Sequence, residues 1–187
     1  GYKADGSFPF VVMIHGHGGN HNEFDGFDKI SNGLAGQGFV VATLDLPGCG
    51  KSKESFQLNT MTNMKADVLD VIDYVCKNYA VDKTRIGALG ICGGGGYTLA
   101  AAQTDKRIKA VAALSMFNSG RVRRNGFQDA DIKGIQTRLQ KAADAREKEL
   151  AGEIVYEGFL PPNSTDDELR AKMAELPENT LYRDGIE

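Results

Sequence analysis

The chain has 187 residues, 41% of them hydrophobic and 25% charged, which suits one globular domain with a sizeable core. Twenty-two Lys and Arg against 25 Asp and Glu give a formal net charge of -3 with the basic residues scattered, which argues against nucleic acid as a partner. No apolar run approaches the ~20 residues of a membrane span, and no segment has the form of a signal peptide. The odd count of three cysteines, Cys49, Cys76 and Cys92, fits reduced thiols in a cytoplasmic setting better than a disulfide framework.

Four short apolar runs follow one another: FPFVVMI (8–14), GFVVATLDL (38–46), RIGALGI (85–91) and KAVAALSMF (109–117). They are continuous rather than alternating, as in parallel strands covered on both faces. A helix is predicted after the first run, around 25–35, with Gly36 and Gly38 to end it. Met64, Val68, Val71, Ile72, Val75 and Tyr79 form a stripe at helical spacing and predict a crossover helix, and another helix opens at Gly93 and runs to about Gln103. This order predicts an α/β fold with a doubly wound, mostly parallel sheet. After Phe117 only Ile132, Ile135, Leu139, Ala142 and Leu150 trace a thin apolar stripe among charges, which reads as a solvated helix. A further short helix is expected near Thr165, where Thr165-x-x-Glu168 has the form of a capping box. The organisation expected is a core over 1–117 followed by a helical insertion or cap segment over 118–187.

Chemistry concentrates in the glycine-rich turn GICGGGGY, residues 90–97. A phosphate loop of the form G-x-x-x-x-G-K-[ST] is half supplied by Gly50-Lys51-Ser52, but Asp45 stands where its first glycine belongs and would set a carboxylate against the phosphate. The dinucleotide fingerprint G-x-G-x-x-G fails at Cys92 and again at Thr98. Gly90-x-Cys92-x-Gly94 instead fits an elbow, a sharp strand-to-helix turn that lifts a nucleophile above the sheet edge; its glycines let strand and helix close together, and the helix N-terminus favours the thiolate. Upstream, His15-Gly16-His17-Gly18-Gly19 ends the first strand with an HGxGG loop of the kind whose backbone N–H groups hold an oxyanion. Asp45 to Ser52 ends the second strand with a turn of the form DxxGxGxS.

With these three loops at the ends of three successive strands, the chain resembles the α/β-hydrolase superfamily, and within it the dienelactone hydrolase-like and Xaa-Pro dipeptidyl-peptidase-like hydrolases, over roughly residues 8–117. The resemblance implies Cys92 as nucleophile, the N–H groups of Gly93 and His17 as oxyanion hole, and Gly90, Gly94 and Gly16 as supporting turn residues. It implies a small-molecule acyl substrate, an ester, thioester or lactone, with no cofactor. The family also carries an acid and a histidine on later loops, whereas no histidine follows His21 here, so the triad is incomplete within these residues. Either they are the middle portion of a longer polypeptide or the polypeptide has lost its base; the first is expected, because a four-stranded sheet followed by a charged helix leaves its edge uncovered.

Other residues offer weaker alternatives. His15, His17 and His21 resemble a metal loop of metallo-hydrolases, although Gly19 replaces its aspartate and the last histidine is displaced by one. His15 reads as a hydrogen-bonded structural residue, while His17 and His21 stand as substitute bases. A non-catalytic, ligand-binding domain of the same fold is a further alternative. Cys76 reads as a packing residue, Cys49 as a second, exposed thiol near the site, and Arg121, Arg123 and Arg124 as a solvated charge run.

Overall fold

The computed structural model describes residues 8–17, 19–22, 26–53, 61–153 and 155. They divide between two compact units, Gly1–Gly120 and Arg121–Glu187. The first unit contains strands β1 (Phe8–Ile14), β2 (Val40–Thr43), β3 (Val81–Ile91) and β4 (Ile108–Leu114). Helices α1 (Gly26–Gly36), α2 (Met61–Asn78) and α3 (Gly93–Ala102) connect them in turn. All strand pairs are parallel and the sheet order is β2-β1-β3-β4.

This order decides where the helices go. The chain steps one way from β1 to β2, then back across β1 to β3 and onward to β4. With right-handed crossovers, the reversal puts α1 on one face of the sheet and α2 and α3 on the other. Alternation along β1 agrees: Phe10, Val12 and Ile14 join one buried cluster with Met64, Val68, Ile72 and Val75 of α2 and Tyr97 and Ala101 of α3. Met13 and Phe27 of α1 are buried outside that cluster. Each fully buried side chain of this size contributes about 1.5–3 kcal/mol.

Several strand ends differ from the sequence pattern, and β4 stops at Leu114, three residues before the end of its apolar run. The run 38–46 yields a strand of only four residues, because the buried His15 ring accepts the Leu46 N–H at 3.1 Å and Cys49 N–H bonds back to the Leu46 carbonyl, turning the chain out of the sheet. Strand β3 begins at Val81, four residues before the expected start. Tyr79 is exposed, a correction to its place in the buried stripe: α2 ends at Asn78, one residue short of it. Beyond Ile108 every residue of β4 is exposed, including the apolar Val111 and Leu114.

The second unit holds most of α4 (Ser119–Asn125), two short 3-10 turns and α5 (Ile135–Leu150). Within it Arg121 pairs with Asp129 and Arg138 with Asp131, while the Asp131 carboxylate accepts the Gly134 N–H at 3.0 Å. Leu139 and Leu150 are exposed, so α5 is the solvated helix its thin stripe predicts. The helix expected at Thr165 and the side chain of Arg123 lie outside the described residues. No helix among the described residues is long and apolar enough to cross a membrane.

Candidate active site

The reversal of strand order falls between β1 and β3, and in open α/β sheets the crevice outside the carboxyl ends of the strands at such a point is where ligands bind. Ile14 and Gly90 are register partners there, so the loop after β1 and the turn after β3 leave the sheet side by side. That turn carries Cys92 as N-cap of α3, with φ 52 and ψ -119. A cysteine in the left-handed region stores strain of order 1–3 kcal/mol, and surrounding contacts must hold it. They do: the Cys92 N–H donates to the Leu114 carbonyl of β4 at 2.8 Å, and its carbonyl accepts the Gly95 N–H at 3.1 Å.

The glycines around it have separable roles. A Cβ on Gly94 would overlap the backbone carbonyl oxygens of Ile14 and His15 and lie 2.9 Å from the Ile14 carbonyl carbon. A Cβ on Gly90 would overlap the Gly94 carbonyl and meet the Gly95 nitrogen at 2.5 Å. Helix α3 therefore touches β1 and β3 backbone to backbone, which only glycine allows. Gly96 has nothing within 4 Å of its missing Cβ. Gly96→Ala should therefore raise stability by about 0.4–1 kcal/mol, read as a higher urea midpoint at constant slope.

Gly93 links the elbow to the β1–α1 loop. Its missing Cβ would sit 3.4 Å from the His17 backbone nitrogen and 3.0 Å from the Tyr97 hydroxyl. The Gly93 N–H belongs to the first turn of α3, where amides have no partner within their own helix. Tyr97 is buried, and that burial, followed by the nearness of Cys92 and Cys49, raises its phenol above the usual range, so it remains a neutral hydroxyl. The sequence reading missed Tyr97, although its position one helical turn after Gly93 was a usable signal.

The three histidines do not form a metal loop. His15 is fully buried with both ring nitrogens engaged, Nε2 accepting from Leu46 N–H and Nδ1 at 2.7 Å from the Gly16 carbonyl. His21 turns its Nδ1 onto the Asp45 carboxylate, 2.9 Å from each oxygen. No three potential ligands stand together among the described residues. Asp45 also accepts the backbone N–H groups of His21 at 2.6 Å and Lys51 at 2.9 Å. Burial pushes its carboxyl up, but these bonds and the adjacent His21 outweigh it, leaving it below the ordinary value. The pair is separated by 24 residues, a contact that no local motif reveals.

Cys49, expected to be exposed, is buried at 4%, because the turn closed by its own N–H folds it into the core cluster that includes Tyr97. Cys76 is half-buried against the core and burial raises its thiol. Iodoacetamide on the native protein should accordingly modify Cys92 first, with Cys49 reacting only on unfolding, as mass mapping of labelled peptides would report.

Residues 9–137, more than half of the chain, match the model of the alpha/beta hydrolase fold family. The chain belongs to that family. It is 35% identical to the uncharacterized protein YcjY of Escherichia coli K12 over 160 residues, 83% of this chain and 51% of YcjY. The crystal structure of the hypothetical protein PA2218 from Pseudomonas aeruginosa superposes with a TM-score of 0.66 at 25% identity, covering 87% of this chain and 52% of that one. Est1E from Butyrivibrio proteoclasticus, solved with ferulic acid bound, gives a TM-score of 0.51 at 29% identity over 57% of this chain and 42% of its own. The α/β-hydrolase chain thus spans about half the length of these relatives.

Proposed function

We propose that this chain supplies the nucleophile and the oxyanion-binding loops of a hydrolase that transfers an acyl group from an ester, thioester or lactone to Cys92, in the manner of the dienelactone hydrolase-like branch, with 118–187 as a helical insertion. The observation that carries the reading is Cys92 in left-handed backbone at the head of α3, with the His17 nitrogen beside Gly93. The ferulic acid held by Est1E, a carboxylic acid, supports an acyl substrate.

In the step proposed, the Cys92 thiolate attacks the carbonyl carbon and the C=O electron pair moves onto oxygen. The Gly93 and His17 N–H groups hold that oxyanion, each such donor being worth roughly 100- to 1,000-fold in rate. Collapse expels the leaving alkoxide or thiolate, which takes up a proton, and water then cleaves the acyl thioester to release acid and free Cys92. The base and acid that activate the thiol and the water lie, in this reading, outside these 187 residues, among which no histidine follows His21. The test is a thioester-hydrolysis assay on the native protein with and without EDTA. Turnover that the chelator leaves unchanged and that a Cys92-directed alkylating agent removes is the expected result; loss with EDTA alone would replace the cysteine reading by a metal one.

A further inference from the structure

Resting on that acyl-transfer reading, we propose that Asp45, acting through His21, is a positioning residue: it latches the β1–α1 loop to the end of β2 and so sets the direction of the His17 N–H. The DxxGxGxS turn acquires a role in the reaction by this means. His17 lies between two attachments of its loop to the β2 end. On one side the His15 ring accepts the Leu46 N–H at 3.1 Å. On the other, His21 donates its backbone N–H to Asp45 at 2.6 Å and presents Nδ1 to both carboxylate oxygens at 2.9 Å. Between them the loop is tightened by the Gly19 N–H bonding to the Gly16 carbonyl at 3.1 Å. A segment fixed at both ends has its amide directions set by those ends, and an oxyanion donor only helps when it points at the developing charge.

The carboxylate is itself gripped. The Lys51 N–H donates to Oδ2 at 2.9 Å, and Gly50, at φ 52, leaves open the space that the carboxylate fills: a Cβ there would meet Oδ2 at 2.5 Å. The spacing from Asp45 to Gly50 is thus the spacing of a carboxylate and the gap that receives it. Asparagine in place of Asp45 would turn an N–H₂ toward donors on one side and lose the charge, so the latch should open.

The experiment compares two reactions of Cys92 in the native protein. p-Nitrophenyl acetate transfers acetyl to Sγ with p-nitrophenolate leaving, through an oxyanion; iodoacetamide forms an S–C bond with iodide leaving and has no oxyanion. Asp45→Asn and His21→Leu should slow the acyl burst about 10- to 100-fold, in kcat rather than KM, and leave alkylation unchanged. His21→Asn, whose amide N–H can take the place of Nδ1–H, should recover most of the burst. Amide exchange over Gly16–His21 should quicken in Asp45→Asn while α3 keeps its protection. An undiminished burst in Asp45→Asn, burst and alkylation falling together, or unchanged exchange in the loop would overturn the latch. His21→Asn as slow as His21→Leu would overturn it in favour of the ring as base. A wild-type protein with no burst removable by Cys92→Ala would refute the acyl-transfer reading, and the latch with it.

Discussion

Cys92→Ala should lower acyl transfer by about 10⁴- to 10⁶-fold, to what binding and the backbone donors sustain without a nucleophile. The fold should survive, because alanine meets the same left-handed backbone that cysteine already tolerates at φ 52. Cys92→Gly sharpens the test. It should be equally inactive yet more stable by about 1 kcal/mol, because glycine removes the steric cost of that conformation. In a chain of this size that is a rise in Tm of about 2–4 °C. Higher stability with lost activity would mean that strain is held at the elbow for the thiol it displays. Unchanged hydrolysis in Cys92→Ala would place the chemistry elsewhere. Because no histidine follows Cys92, the 187 residues alone should turn over ~100- to 10,000-fold more slowly than a polypeptide that supplies a positioned base.

Gly94→Val should remove the acyl burst, either by unfolding the protein or by lifting α3 away from β1. The added carbons have no free volume to enter: they meet the carbonyls of Ile14, the last residue of β1, and of His15 just after it, and backbone cannot rotate away as a side-chain tip can. Overpacking by a methylene costs about 1–3 kcal/mol even where side chains give way. Against backbone, a branched side chain should exceed the ~5–15 kcal/mol that holds a typical domain together only if α3 cannot lift; if α3 lifts, Cys92 leaves its place and activity goes with it. Circular dichroism and the acyl burst measured together separate the two outcomes. A native-like spectrum with a normal burst would show that α3 and β1 do not touch as described. Gly96→Ala, two residues on, is the control.

Much of this was legible locally. The apolar runs located β1 and β3 because strands covered on both faces need uninterrupted hydrophobic sequence, and β1 starts and stops where FPFVVMI does; the same signal located β4, although its residues beyond Ile108 are exposed. The elbow was legible because close approach of two backbones excludes every side chain at fixed positions, which leaves a spacing of glycines in the sequence. The α2 stripe was right in its interior, from Met64 to Val75, and failed at Tyr79, where the helix had already ended.

What the sequence by itself determined, then, is the α/β class, the parallel strands and the turn that displays Cys92, since these follow from hydrophobic periodicity and from the sterics of adjacent residues. The elbow spacing already marked Gly94 as a position without room for a side chain; only the tertiary structure decided what it approaches, the backbone at the end of β1, and that Gly96 faces open space. It also decided that β2 stops at Thr43, that Cys49 is buried, and that His21 meets Asp45 instead of joining His15 and His17 around a metal. Each of these depends on a hydrogen bond or packing contact whose partner lies on another element of the fold, and periodicity along the chain carries no record of what will stand opposite once the chain has folded.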